Sequence, residues 1–277
     1  MGVTLRLVPG EARLFFEQED LEDTRFALGK GEVAIYSRRS PAKLSPNEDA
    51  AAVIATGDGS AVLAVADGLG GAPAGQQASS LAAESLVQSV REAAASGREI
   101  RSGILDGFER ANEAVLRLGL GAGTTLTVAE VQGSSVRPYH VGDSFVLLTG
   151  NRGKLKMQSI SHSPVGYGVE AGLLDERAAM YHEERHVISN VIGSNHMRID
   201  VGSSQSIARR DTLVLATDGL SDNLHTVEIV ERVRRGRLEN VARELASVAW
   251  SRMEGGGDDS PSKPDDLTFL VFRLKTL

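Results

Sequence analysis

Two stretches of this chain drive an apolar run straight into a lone aspartate: AVLAVADGLGG at 61–71 and TLVLATDGLSD at 212–222. Asp67 and Asp218 stand where each strand would end, and a glycine follows each of them. Other carboxylates occupy similar places: Glu48 and Asp49 in PNEDA, Asp143 in HVGDS, Asp265 and Asp266 in KPDDLT. Carboxylates gathered in a partly dry cleft repel one another, and their pKa values rise unless a cation compensates. A divalent ion removes that cost. The chain has no cysteine and no zinc-type histidine spacing, so an all-oxygen donor set points to Mg²⁺ or Mn²⁺. Gly68, lacking a side chain, can bring its backbone carbonyl against such an ion. Taken singly, each Asp-Gly pair reads as an ordinary turn, and Gly57-Asp58-Gly59 is read as no more than that. The set weakens the turn reading, because several acidic turns abut apolar strands in one chain.

The elements that must position these groups follow from periodicity. GEVAIYSR (31–38) alternates like a strand, and DAAAVIAT (49–56) with AVLAVA (61–66) reads as a hairpin about Gly57–Ser60. Residues 76–96 and 100–118 read as helices, the second with Ile100, Ile104, Phe108, Ala111, Val115 and Leu118 on one stripe. Strands return from 123 in TTLTVAEV, SVRPYHVG, SFVLLTG and KLKMQSI. Two helices follow strand 212–217, and LTFLVFRL closes the chain. In the first 30 residues, TLRLV (4–8) and ARLFF (12–16) are expected to form a hairpin packed on the rest. Strands joined by very short turns pair antiparallel, so sheet packed on sheet with helices outside is expected, an α+β fold rather than a βαβ alternation. Residues 31–277 read as one domain, with 1–30 as an extension.

Six segments, PNEDA, VADGLGG, GTTLT, VGDS, LATDGLSD and DDLTFLV, in this order and at these separations, resemble the metal-dependent protein phosphatases (type 2C serine/threonine phosphatases), particularly the bacterial members. The resemblance runs from about residue 31 to the C-terminus, and HSPVGYGVEAGLLDERAA is similar to the bacterial flap segment, placed at about 161–200. It implies a four-layer α-β-β-α sandwich, two antiparallel sheets between helices. It further implies that Asp67 bridges two ions, that Gly68 supplies a carbonyl to one, and that Asp218 and Asp265 bind the other. Asp143 with Asp218 would hold a weaker third ion, and Glu48 and Asp49 would act mostly through ion-bound water. Asp67 and Asp218 are thereby the catalytic residues. Two such ions about 4 Å apart can share and activate a water. In-line attack on a phosphoserine or phosphothreonine follows, with catalysis resting on positioning and charge neutralisation.

Three positions depart from the family pattern. Leu44 stands where an arginine usually grips the substrate phosphate, which leaves neighbouring Lys43 as the phosphate contact, a point charge and not a fork. Arg38 and Arg39 lie further back. Leu69 replaces a histidine of some members, and Asp266 stands where asparagine is commoner, expected to have little consequence. His162, His182, His186 and His196 fall in or near the flap and are expected at the surface or facing substrate. Thr124 and Thr125 read as ordinary strand residues, and Trp250 as a core or interface residue. Asp258 and Asp259 compete with Asp265 as a ligand, and Asp265 is preferred because it abuts LTFLVF.

The net charge of −7, with both signs interleaved, argues against a nucleic-acid partner. No apolar run approaches a bilayer-spanning length, and no basic-then-apolar leader is visible, so a cytoplasmic protein without a membrane partner is expected. The expected activity is a Mg²⁺- or Mn²⁺-dependent phosphoprotein phosphatase paired with a serine/threonine kinase in signalling. Two other readings stand beside it: a phosphatase-like binding module with little turnover, which Leu44 favours, and a small-molecule phosphatase of the same fold.

Overall fold

The computed structural model describes residues 4–69, 74–119, 121–255 and 260–275, leaving aside the side chains of residues 22, 23 and 58. Its strands are β1 (Thr4–Arg6), β2 (Ala12–Phe16), β3 (Asp20–Leu28), β4 (Gly31–Arg38), β5 (Asp49–Ala55), β6 (Ala61–Asp67), β7 (Leu126–Gln132), β8 (Ser135–Val141), β9 (Phe145–Thr149), β10 (Leu155–Gln158), β11 (Asp200–Val201), β12 (Gln205–Ser206), β13 (Thr212–Ala216) and β14 (Leu267–Leu274). The helices are α1 (Gly75–Ala95), α2 (Ile100–Leu118), α3 (Pro164–Glu170), α4 (Glu176–Ala179), α5 (Asp218–Ser221), α6 (Thr226–Val233) and α7 (Leu238–Met253). Among them, none is long and apolar enough to cross a membrane.

Two sheets result, ordered β1-β3-β4-β14-β13-β9-β10 and β11-β8-β7-β6-β5-β2, with β12 also on β8. The strands carry apolar residues on both faces, because each sheet is covered on both sides. The period of two sorts them. In β5, Ala51, Val53 and Ala55 face the other sheet while Ala50, Ala52 and Ile54 face α1 and α2. In β14, Leu270 and Phe272 point between the sheets while Leu267, Phe269 and Val271 pack under α6 and α7. Three apolar cores therefore alternate with two sheets, the four-layer α-β-β-α arrangement expected from the sequence.

The amino-terminal strands depart from the expected hairpin. β1 pairs parallel with β3 in one sheet, whereas β2 pairs antiparallel with β5 in the other. The turn at Pro9-Gly10, with Gly10 at φ 87°, carries the chain across the sandwich edge. A β1–β2 pair would leave the β3 and β5 edges unpaired, and unpaired edges are costly. β3 itself escaped sequence reading because DLEDTRFAL is largely polar, and only Phe26 and Leu28 enter the core.

The acidic turns come together through strand register. Asp49 pairs with Asp67 across β5 and β6, and Ala216 pairs with both Phe145 and Phe269. The start of β5, the end of β6, the turn before β9, the end of β13 and the start of β14 therefore share one end of the sandwich. Gly219, just after Asp218, passes so close to β14 that an added Cβ would lie 1.9 Å from the Asp266 carbonyl oxygen. Backbone cannot yield as a side-chain tip can. Gly219→Ala is expected to lose roughly 1–3 kcal/mol of stability or more, read from the midpoint of denaturant unfolding.

Candidate metal centre

Asp67 leaves β6 with its backbone held on both sides. Its N–H donates to Thr125 Oγ1 (2.9 Å), while Thr124 Oγ1 and Thr125 N donate to its carbonyl (2.8 and 2.9 Å). Thr124 and Thr125 thus aim the aspartate, more than the sequence suggested. Gly68 follows in close quarters, since a Cβ there would meet the Gly75 carbonyl at 2.3 Å and the Glu48 carbonyl at 2.9 Å. Asp49 is buried; one oxygen accepts Thr217 Oγ1 at 2.9 Å, and the other has no hydrogen-bond partner among the described residues. Asp143 likewise keeps a buried, unpartnered Oδ1. Asp218 opens α5, and its carboxyl stands close enough to those of Asp67 and Asp222 for the three to interact electrostatically.

The acids and two lysines form one electrostatic system. Burial pushes the Asp67 carboxyl well up, and Asp49, Asp218, Asp265 and Asp143 add to the shift. Asp49 is raised by burial and by Asp266. Burial and Asp218 lift Asp143 to about 8, and Asp222 and Asp265 each to about 6. Burial also works against an ionised Asp218, but Lys263 overrides it and holds that carboxyl below its ordinary range. Lys263 Nζ lies 2.9 Å from Asp218, 2.6 Å from Asp222 and 3.1 Å from Asp265. Lys43 Nζ, on the other side, lies 2.5 Å from Glu48 and 2.8 Å from Asp266. Asp266 also accepts the backbone N–H groups of Ser40 and Glu48, at 2.8 Å each, and so fixes the loop that carries Lys43 and Leu44. Its carboxylate has a definite task there, contrary to the small consequence expected of it. Leu44 points out, 98% exposed, and makes no part of the cluster.

The donor set fits divalent ions: carboxylate oxygens from separate strands, orphaned buried oxygens on Asp49 and Asp143, and a backbone carbonyl beside a residue with no room for a side chain. The carboxylates around Lys263 are spaced for an ammonium, whose N···O contacts exceed the roughly 2.0–2.1 Å of a Mg–O bond. Among the described residues, the trio whose donor atoms all fall within 4.8 Å is instead His140, His162 and Asp200. Its hydrogen bonds argue against an ion. Gly142 N–H donates to His162 Nδ1 at 3.1 Å, which puts the lone pair there and the proton on Nε2, facing Asp200 at 3.9 Å. The two imidazoles stack at 4.4 Å, and burial lowers His162 to about 4. His162 therefore serves as a neutral buried link between the Asp143 turn and Ser189, whose N–H donates to its carbonyl at 2.8 Å. It was expected at the surface or facing substrate; of the four, His182, His186 and His196 are exposed, and His162 is buried.

An opening of about 440 Å³ adjoins the cluster, bordered by Asp143, Asp218 and Asp222 on one side and Gly166, Met180 and Arg185 on the other. A separate cavity of about 470 Å³ between α7 and β3–β4 holds none of these acids. There Arg38 stacks over Trp250 at 3.7 Å, so the lone tryptophan is half-buried at the margin of the α7 core. Asp222 and Lys263 were not singled out from the sequence, although both lie inside the acidic motifs. Asp258 and Asp259 lie outside the described residues.

Oxygen donors collected at one end of a double sandwich, beside an open cleft, form a set whose chemistry suits divalent cations. The protein phosphatase 2C family matches residues 40–249, and the chain belongs to that family. It is 28% identical over 224 residues to the serine/threonine phosphatase Stp of Listeria monocytogenes, spanning 77% of this chain and 87% of the relative. The structure of the Mycobacterium tuberculosis serine/threonine phosphatase PstP/Ppp superposes with a TM-score of 0.72 at 27% identity, covering 89% of this chain and 99% of that one. The catalytic domain of PstP in complex with two manganese ions matches at a TM-score of 0.68 and 25% identity, over 88% and 97% of the two chains.

The raised carboxyls set a pH dependence. A carboxyl whose folded pKa lies above its unfolded value holds a proton the unfolded chain has released, so stability falls as pH rises from about 4 through the folded value. For Asp222 and Asp265 that value is about 6, and for Asp143 about 8. Metal-free protein is expected to lose about 3–5 kcal/mol between pH 5.5 and 8.5, most of it through Asp143. Saturating Mn²⁺ should flatten the slope, as thermal melts across that range with EDTA or Mn²⁺ will show.

Proposed function

We propose that this protein is a Mg²⁺- or Mn²⁺-dependent serine/threonine protein phosphatase that hydrolyses phosphoserine and phosphothreonine with an activated water. The observation that carries the reading is the convergence of Asp49, Asp67, Asp143, Asp218 and Asp265 at one end of the sandwich, with buried oxygens of Asp49 and Asp143 lacking hydrogen-bond partners among the described residues. Asp67, Gly68, Asp218 and Asp265 would hold two ions, as two manganese ions accompany the PstP catalytic domain. Asp143 with Asp218 would hold a third, while Glu48 and Asp49 would orient water. Such a pair of ions supplies an activated water and neutralises phosphate charge.

The chain's own residues do the rest. Thr124 and Thr125 fix the direction of Asp67, Thr217 fixes Asp49, and Asp266 with Lys43 fixes the 40–48 loop. No side-chain nucleophile is required, in keeping with a chain that lacks cysteine. The cleft between the acids and Gly166, Met180 and Arg185 is the entry for the phosphorylated residue, and the segment over 161–200 forms its outer wall as a flap. A serine/threonine kinase that phosphorylates the same proteins is the implied partner. Lys43, committed to two carboxylates, serves first as their counter-charge, and phosphate contact would draw on it only as those ion pairs loosen.

Hydrolysis of p-nitrophenyl phosphate and of a phosphothreonine peptide is expected to require Mn²⁺ or Mg²⁺ and to ignore thiol reagents. Asp67→Asn should lower it by roughly 10²-fold or more. Folded wild-type protein with no metal-dependent turnover on either substrate would favour the binding-module reading. Lys43→Met should cost roughly 1–3 kcal/mol of metal-free stability by stranding Glu48 and Asp266, while changing KM for the peptide less than about threefold. A large rise in KM with stability unchanged would instead make Lys43 the phosphate grip.

A further inference from the structure

Lys263 lies two residues before Asp265, on the segment leading into β14. Its ammonium donates hydrogen bonds to Asp218 (2.9 Å) and Asp222 (2.6 Å) and lies 3.1 Å from a carboxylate oxygen of Asp265 as an ion pair. It is no loose surface lysine reaching inward. Its backbone N–H donates to Asn223 Oδ1 and its carbonyl accepts Asn223 Nδ2, both at 2.9 Å. Asn223 is itself fully buried and also donates to the Gly219 carbonyl at 2.9 Å, inside the short helix that Asp218 opens. Pro264 follows, which restricts Lys263 to extended backbone. The fold therefore aims this ammonium at Asp218 and Asp265, two carboxylates assigned above to ion binding. A carboxylate pair cannot give its full charge to a divalent ion while an ammonium sits on both members.

We propose that Lys263 is a built-in cation of the acidic centre, which neutralises Asp218, Asp222 and Asp265 in the metal-free protein and is displaced when a divalent ion binds there. Lys263 thus sets the affinity of that end of the site. It offsets part of the negative charge of the ion-free site, and it makes ion entry an exchange of one cation for another. The inference rests on the assignment of Asp218 and Asp265 as ion ligands.

Titration of full-length metal-free protein with Mn²⁺, followed by calorimetry and by loss of the free Mn²⁺ electron-spin-resonance signal, tests it without reference to activity. Lys263→Met keeps the aliphatic stem and removes the charge. It should bind the ion at this end about tenfold tighter or more, and should melt lower than wild type in EDTA but not in saturating Mn²⁺. Affinity equal to or weaker than wild type in the folded variant overturns the proposal. If the variant does not fold without metal, the wild type decides through reductive methylation read by mass spectrometry. Faster modification of Lys263 with Mn²⁺ present supports displacement, and an unchanged rate overturns it. Wild-type protein that binds no Mn²⁺ overturns the metal-site assignment and this proposal with it, which separates the two failures.

Discussion

Like charges held close together at one end of a double sheet must be balanced within a few ångströms, and the structure is arranged around that requirement. Asp49, Asp67, Asp143, Asp218, Asp222 and Asp265 crowd the same end of the sandwich, where burial strengthens their mutual repulsion. The chain answers in three ways. Lys43 and Lys263 close in from opposite sides, Thr217 hydrogen-bonds an oxygen of Asp49, and the raised carboxyls retain protons. The proposed exchange of these protons and ammonium groups for divalent ions would relieve the same repulsion.

What holds the acids in place is the packing beneath them. Adjacent strands in antiparallel register bring Asp49 beside Asp67, and the β9, β13 and β14 ends side by side. Three apolar cores fix that register, since a slip of one residue would turn Leu213 and Leu215 away from the inter-sheet core. Glycines then allow the loops to approach more closely than any side chain would permit, Gly68 against Gly75 and Gly219 against Asp266. Rigid scaffold and close backbone approach together let carboxylates remote in sequence act as one group.

The loops around the centre are tied to it by buried polar links. His162 joins the Asp143 turn to Ser189, Asn223 joins α5 to Lys263, and Asp266 joins the 40–48 loop to β14. Each link runs from a fully or nearly buried polar residue to backbone groups, where a lost hydrogen bond is expensive. The loops beside the cleft are therefore hydrogen-bonded to the same turns that carry the acids and their counter-charges.

By itself the sequence determined most of the strands, the long helices, the layered α+β architecture and the identity of the clustered aspartates other than Asp222, because local periodicity and Asp-Gly punctuation depend only on neighbouring residues. It did not reveal β3, whose charged residues hide a strand stabilised by pairing with β4, nor the division of β1 and β2 between two sheets, which depends on edges formed by distant segments. Nor did it distinguish Asp222 and Lys263 from ordinary polar residues, give Asp266 its task of holding the 40–48 loop, or show that His162 is buried. Those roles come from contacts across 20 or more positions, such as His162 with Gly142, Lys263 with Asp218 or Lys43 with Asp266, and only tertiary packing sets such distances. Which carboxylates meet was written in their local motifs; what neutralises them was decided by the fold.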